Sequence, residues 1–336
     1  MKHTDYFKNF LANTVNMSKF NLELLSQRVD TVYGVLKADD DLGPLVKKKI
    51  PQGSWPQKTI IRPQNGKAFD GDFMVQMVEN PAWEVDKKKY ADAIYRVLHN
   101  TSPYKDMPHG RKCRCVYLTY ANNAMHLDIV PFVIRADGTQ WIINRDDNEW
   151  ERTDTDGFTA WMKRQDEIAG KHLREVIRII KFLRDHRNSF TGTRSILLTT
   201  LLGEQVKEWR TILDAGYYGD LPTALLHIVS ELDDWLQARP TKPTIMDPAG
   251  TGTSFDHRWS AETYAYFRDR IHAHAAEIKA AYDETDFDKS VKKWQALFGD
   301  GFSAPKTVGA VGKYRALGTG AGSAGASTVS LPGRAG

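Results

Sequence analysis

Gly53-Ser54, then Phe69-Asp70-Gly71-Asp72-Phe73-Met74-Val75, then Met125-His126-Leu127-Asp128-Ile129-Val130-Pro131-Phe132-Val133 are the stretches that decide the fold. Asp70 and Asp72 stand two apart at the start of a strand predicted over 71–78, so their carboxylates share one face. The third stretch is apolar and β-branched and reads as a strand over 125–135. A lone Asp128 in it is costly to bury unless paired or metal-bound. If the two strands are neighbours, three carboxylates converge. Hard oxygen donors of this kind suit magnesium, with substrate phosphate oxygens completing the octahedron. Two such ions can activate an attacking hydroxyl and stabilise a leaving pyrophosphate. Gly53 lets backbone approach a phosphate closely, and Ser54 adds N–H and hydroxyl donors. Each piece alone is weak, because D-x-D arises by chance and Asp-Gly and Gly-Ser are ordinary loop signals. The order in which they occur is the stronger signal.

Outward from these stretches, the pattern predicts a helix over 17–38, with Leu25, Val29, Val32 and Leu36 on one stripe. A Pro/Gly-rich stretch around Pro51, Gly53 and Pro56 follows Lys47, Lys48 and Lys49, which read as a solvated edge. A helix is expected over 86–99, strands over 112–120 and 125–135, and a turn at Gly138 into Trp141-Ile142-Ile143. From about 157 the texture turns helical. Leu173, Val176, Ile177, Ile180 and Leu183 form one stripe, and further helices are expected over 194–209, 221–238, 258–283 and 287–298. The first half is therefore mixed α+β and the second nearly all α.

Composition narrows the classes. The 336 residues are enough for two packed domains or one large one. Of 46 basic residues, Lys306, Lys313, Arg315 and Arg334 follow Asp300, after which no acidic residue occurs. Residues 1–300 thus hold 42 basic against 42 acidic, which disfavours a body built to wrap duplex nucleic acid. Two cysteines, Cys113 and Cys115, exclude a disulfide scaffold and read as a buried strand face. No run approaches 18 apolar residues and no secretion signal is visible, so a cytosolic, reduced protein is expected. No histidine has metal spacing. His126 reads as structural, and His272 and His274 read as exposed on a charged helix. Trp259, Tyr264 and Tyr266 read as core packing. Residues 318–336, with six glycines, read as a flexible tail.

The order helix, Gly-Ser, D-x-D on a strand, third Asp on a later apolar strand resembles the polymerase-β-like nucleotidyltransferase superfamily. Within it the chain is similar to the bacterial cGAS/DncV-like nucleotidyltransferases, the oligonucleotide cyclases of CBASS anti-phage systems. The resemblance rests on Gln52-Gly53-Ser54-Trp55, Phe69-Asp70-Gly71-Asp72 and His126-Leu127-Asp128-Ile129-Val130-Pro131. Pro243-Thr244-Ile245-Met246-Asp247-Pro248 and Trp294-Gln295-Ala296-Leu297-Phe298-Gly299-Asp300 add to it, over roughly 17–300 in all. Gly71 departs from the aliphatic residue more usual there.

The resemblance implies an α+β nucleotidyltransferase core with a helical C-terminal domain and the active site in the cleft between them. The corresponding division is 1–155, 156–302 and a flexible tail over 303–336. It implies cyclic di- or trinucleotide synthesis from nucleoside triphosphates, ATP among them, with two Mg2+ ions (or Mn2+) on Asp70, Asp72 and Asp128. Asp128 would serve the ion that activates the acceptor hydroxyl. Gln52, Gly53, Ser54, Lys181 and Ser195 would bind nucleotide. Read from the residues alone, Lys181 is equally a solvated helix face and Ser195 an N-terminal cap. The alternatives are transfer to a tRNA, linear oligonucleotide or protein acceptor, and an inactive scaffold. Expected partners are a downstream cyclic-nucleotide-activated effector and an E1/E2-like protein that conjugates the C-terminal Gly336, in a bacterial cytosol, with no membrane and no obligate nucleic acid.

Overall fold

The chain opens with α1 (Thr4–Phe10), which runs into a π-helical turn, Leu11–Val15. Helix α2 (Lys19–Ala38) starts where Ser18 accepts the Asn21 N–H at 3.2 Å. Then come β1 (Val46–Gln52), β2 (Phe69–Met77), α3 (Lys89–Asn100), β3 (His109–Arg111), β4 (Val116–Thr119), β5 (Met125–Ile134), β6 (Gln140–Asn144) and β7 (Glu149–Thr153). The remainder is helical: α4 (Thr155–Ile168), α5 (Leu173–His186), α6 (Ser195–Glu204), α7 (Glu208–Leu213), α8 (Leu221–Gln237), α9 (Ala261–Asp283) and α10 (Phe287–Phe298). The structure, a computed structural model, describes residues 1–306 except 65, 67, 121–124 and 258. Met1–Ala304 form one compact unit.

Among the described residues the strands make one sheet, hydrogen-bonded in the order β1-β2-β5-β4-β3, with β6 paired to β5 and β7 to β6. Strands β2 and β5 are parallel, and the other pairs are antiparallel. The two-residue period of a strand then sorts every side chain. Phe69, Phe73, Val75 and Met77 of β2, with Leu127, Ile129 and Val133 of β5, face a core closed by Leu25, Val29 and Val32 of α2 and Ile94 and Leu98 of α3. The alternate residues face the other way, where Met74, Val130, Phe132 and Cys115 pack together. Gly71 belongs to the covered face. A Cβ there would stand 2.3 Å from Leu25 Cδ1 and 3.0 Å from Leu127 Cδ2. Leu25 fills the space that an aliphatic residue would take, so the glycine leaves both flanking carboxylates in place.

A second core holds the helical half together. The α5 stripe, with Val176, Ile177, Ile180 and Leu183, meets Leu198, Leu201, Ile228 and Leu232. The N-terminal segment joins this core rather than the sheet's: the Phe7 ring lies 5.0 Å from Trp294, and the Phe10 ring lies 5.0 Å from Phe182. Trp294, Leu297 and Phe298 of the second family-like stretch are the buried side of that contact.

Several expectations change. The helix expected over 194–209 is two, α6 and α7, with the Gln165 side chain donating to the carbonyls of Gly203 in the last turn of α6 and of Val206 in the link. The strand expected over 112–120 begins only at Val116, and Cys113 and Cys115 lie in a bend. They do not share a strand face: Cys115 is buried, while Cys113 is half-buried and meets Asn144 Oδ1 at 3.1 Å. His274 is buried, held by Ser189 and Glu277, whereas His272 is exposed as expected. Trp259 and Tyr264 are core, but Tyr266 is exposed. Lys47 and Lys48 lie exposed on β1, an edge strand, as expected. Among the described residues no helix is long and apolar enough to cross a membrane.

Candidate active site

The pleat places Asp70, Asp72, His126 and Asp128 on one face of two adjacent strands. In register, Asp72 lies opposite Asp128 and Asp70 opposite His126. Parallel neighbours are about 4.8 Å apart, so carboxylates facing across them repel. Burial, then Asp128 and Asp70, push the Asp72 carboxyl up to about 7. Asp70 is raised by the protein crowded around it and by Asp128, although its side chain still opens to solvent.

Asp128 behaves differently because it has partners. Lys112 Nζ donates to both its oxygens, at 2.9 and 3.1 Å, and His126 Nε2 is 3.2 Å from Oδ1. Burial favours the neutral acid, but these contacts outweigh it and hold the carboxyl below the usual range. Desolvation opposes the charge on Lys112, and the bond to Asp128 more than offsets it. His126 is fixed by Thr119 Oγ1 at 2.9 Å and stacks on Tyr117, which sits opposite Asp128 on β4. It is therefore part of the site and not only structural.

The Gly-Ser turn closes over this face. Gln52, the last residue of β1, is in register with Asp72, and Gly53 follows at φ 67°. A Cβ on Gly53 would stand 2.5 Å from Asp72 Oδ2. Only glycine permits both the left-handed backbone and the close approach. The turn is pinned by the Thr59 N–H donating to the Ser54 carbonyl at 2.9 Å.

The two positions on the helical half are also placed. Lys181 is not on a solvated face. It is buried, and its ammonium donates to the Thr59 carbonyl at 3.1 Å and lies 3.3 Å from Thr59 Oγ1. Burial, with Arg184 beside it, pushes the Lys181 amine down to about 7. Ser195 is the first residue of α6, but Arg194 occupies the cap position. The Ser195 hydroxyl instead accepts from Arg184 Nη1 at 3.2 Å. Gly336 lies outside the described residues.

The donor set fits magnesium in kind: three carboxylates on one face, two of them disfavoured as bare anions, with a lysine ammonium already seated on the third. Among the described residues no three His, Cys, Asp or Glu side chains stand close enough together to hold a metal ion as they are placed here. Magnesium commonly takes only one or two carboxylates from the protein and the rest of its oxygens from substrate phosphate and water.

Residues 1–166 match the family model described as the Second Messenger Oligonucleotide or Dinucleotide Synthetase domain. This segment is that of a cGAS/DncV-like nucleotidyltransferase. A curated relative, cyclic AMP-AMP-AMP synthase of Acinetobacter sp., is 20% identical over 295 residues, 87% of this chain and 83% of that protein. The structure of E. coli MS115-1 CdnC with ATP superposes with TM-score 0.67 at 20% identity, covering 89% of this chain and 98% of that one. Vibrio cholerae DncV, a cyclic AMP-GMP synthase, gives TM-score 0.68 at 16% identity, covering 89% and 96%. The sequence-based family, fold class and enzyme class therefore hold: the chain is an α+β nucleotidyltransferase with a helical C-terminal region.

Sequence reasoning missed Lys112 and the α5 residues Arg174 and Arg178, which reach the Gly-Ser loop. Lys112 arrives through the irregular bend before β4, where no period marks its direction. The α5 cations are spaced i, i+4 and i+7 with Lys181, a signal visible in the sequence once the helix face is asked for.

Proposed function

We propose that this nucleotidyltransferase is magnesium-dependent and joins nucleoside triphosphates into a cyclic di- or trinucleotide, releasing pyrophosphate. The observation that supports it best is the facing pair Asp72 and Asp128 with the Gly53 turn against Asp72. Asp70, Asp72 and Asp128 would hold the metals. When bound, the ions supply the positive charge that steadies the attacking oxygen and the leaving pyrophosphate. The chain's own groups do the rest. The Ser54 N–H and hydroxyl meet phosphate oxygens above the Gly53 turn, with Gln52 at its root. Lys181, behind the same loop, and Ser195 with Arg184 add donors from the helical side. Asp128, already ionised, accepts the proton of the acceptor hydroxyl. A second displacement within the same cleft closes the ring.

The activities of the Acinetobacter and Vibrio relatives, cyclic AMP-AMP-AMP and cyclic AMP-GMP synthesis, support a cyclic product and ATP as a substrate. The division into 1–155, 156–302 and 303–336, the anti-phage setting in a bacterial cytosol, a cyclic-nucleotide-activated effector and conjugation of Gly336 by an E1/E2-like protein belong to the same proposal. They rest on the resemblance of the motifs and of Leu331-Pro332-Gly333-Arg334-Ala335-Gly336.

The test is incubation of the purified chain with labelled nucleotides and magnesium. A phosphatase-resistant product is expected from the wild type and none from Asp70→Asn/Asp72→Asn. A phosphatase-sensitive product would point to a linear chain and no product to a scaffold, and pyrophosphate release by the double variant would sink the assignment of the carboxylates.

A further inference from the structure

Three consecutive carbonyls of the loop that begins at Gly53-Ser54 are taken by three cations from one face of α5. Arg174 Nε donates to the Gln57 carbonyl at 2.9 Å. Arg178 Nη1 donates to the Lys58 carbonyl at 2.7 Å. Lys181 Nζ donates to the Thr59 carbonyl at 3.1 Å. The three sit at i, i+4 and i+7, so one helix face meets one run of backbone. The loop needs this support. Lys58 is held at φ 56°, a left-handed conformation that a lysine avoids. The Thr59 N–H in turn holds the Ser54 carbonyl. The path from α5 to Ser54 is thus continuous: guanidinium, carbonyl, peptide, Ser54. Charge-assisted bonds are the stronger kind, and each of these is directed at a backbone carbonyl.

We infer that Arg174 and Arg178 of α5 are positioning residues that set the phosphate cradle of Ser54, coupling the helical half to the capture of the triphosphate. This rests on the reading that the Gly53-Ser54 loop holds the triphosphate, and it adds how that loop is kept in register with Asp72. Arg178 is the better residue to perturb, because Arg174 also binds Asp166 at 2.6 Å.

The consequence is selective. A loosened cradle weakens the grip on phosphates and leaves the grip on base and ribose alone. Calorimetric titration of the full chain with magnesium and either a non-hydrolysable ATP analogue or AMP reads this directly. Arg178→Gln is expected to lose about tenfold in affinity for the triphosphate analogue, the scale of one charge-assisted bond, and to hold AMP within about twofold. Arg178→Lys keeps one donor and should recover most of the loss, with unchanged circular dichroism in both variants. Equal weakening of AMP and the triphosphate analogue, or undiminished binding of both, overturns the inference. So does failure of Arg178→Lys to recover when Arg178→Gln is folded. If the wild type itself does not prefer the analogue over AMP, the cradle reading falls first, and the two failures are thereby told apart.

Discussion

Replacing Gly53 by alanine tests the site at its tightest point. The added Cβ meets two obstacles. The backbone at φ 67° costs an L-residue roughly 1–2 kcal/mol. The Cβ also lands 2.5 Å from Asp72 Oδ2, where ordinary contact begins near 3.4 Å, so carboxylate and turn must part by about 0.9 Å. Asp72 is one of a facing pair, so the shift is felt at the reacting centre. A misplacement of about 1 Å in a catalytic constellation costs on the order of 100-fold in rate. The expected result is a kcat about 100-fold below wild type, with Tm lower by only a few degrees. Pyrophosphate release under saturating nucleotide and magnesium, beside a thermal melt, measures both. A rate within about threefold of wild type would show that the turn does not set the Asp72 carboxylate and would refute the argument from contact. A collapse of Tm would show instead that the loop is needed to fold.

Lys112→Met removes the ammonium seated on Asp128. Metal-free protein should melt lower, and magnesium should bind severalfold more tightly by calorimetry, because an ion no longer displaces an internal cation; unchanged magnesium affinity would refute the competition. Asp256 is a structural counterpart, buried, paired with the half-buried Lys242 and accepting the Ile245 N–H at 2.9 Å. Burial raises its carboxyl, but Lys242 and the Ile245 N–H outweigh that and hold it below the usual range. Its contribution is therefore complete above the unfolded value of about 3.9 and is lost as pH falls through the lower folded one. Asp256→Asn should cost about 2 kcal/mol at pH 7 in urea unfolding, and the difference should shrink toward pH 3. A pH-independent difference would rule out the ion pair as its source.

The carboxylate face was legible because strand period and residue chemistry coincide. Asp70 and Asp72 fix a face by being two apart, and an Asp in an apolar strand needs a partner. What the sequence could not supply was pairing. That β5 lies parallel to β2, and that Asp72 meets Asp128 and not His126, are facts of register. Lys112 and the α5 cations reach their partners across 16 and more than 100 residues, by side chains long enough that local pattern says little about where the charge ends. The N-terminal segment is a similar case. Phe7 and Phe10 precede the sheet in sequence but fill the core of the helical half, where with Phe302 they cover the aromatic face of α10.

A body with no net charge over 1–300 is at first sight a poor host for triphosphates. The cations around the candidate site are each tied to another group of the chain. Lys112 is bound to Asp128, and Arg174, Arg178 and Lys181 are bound to loop carbonyls. Positive charge used in this way organises donors and carboxylates before any substrate arrives. On the proposed function, the attraction for phosphate would then come from ions held on Asp70, Asp72 and Asp128. Such a site should depend on magnesium more steeply than on ionic strength, because screening weakens a diffuse basic surface more than it weakens charges in direct contact.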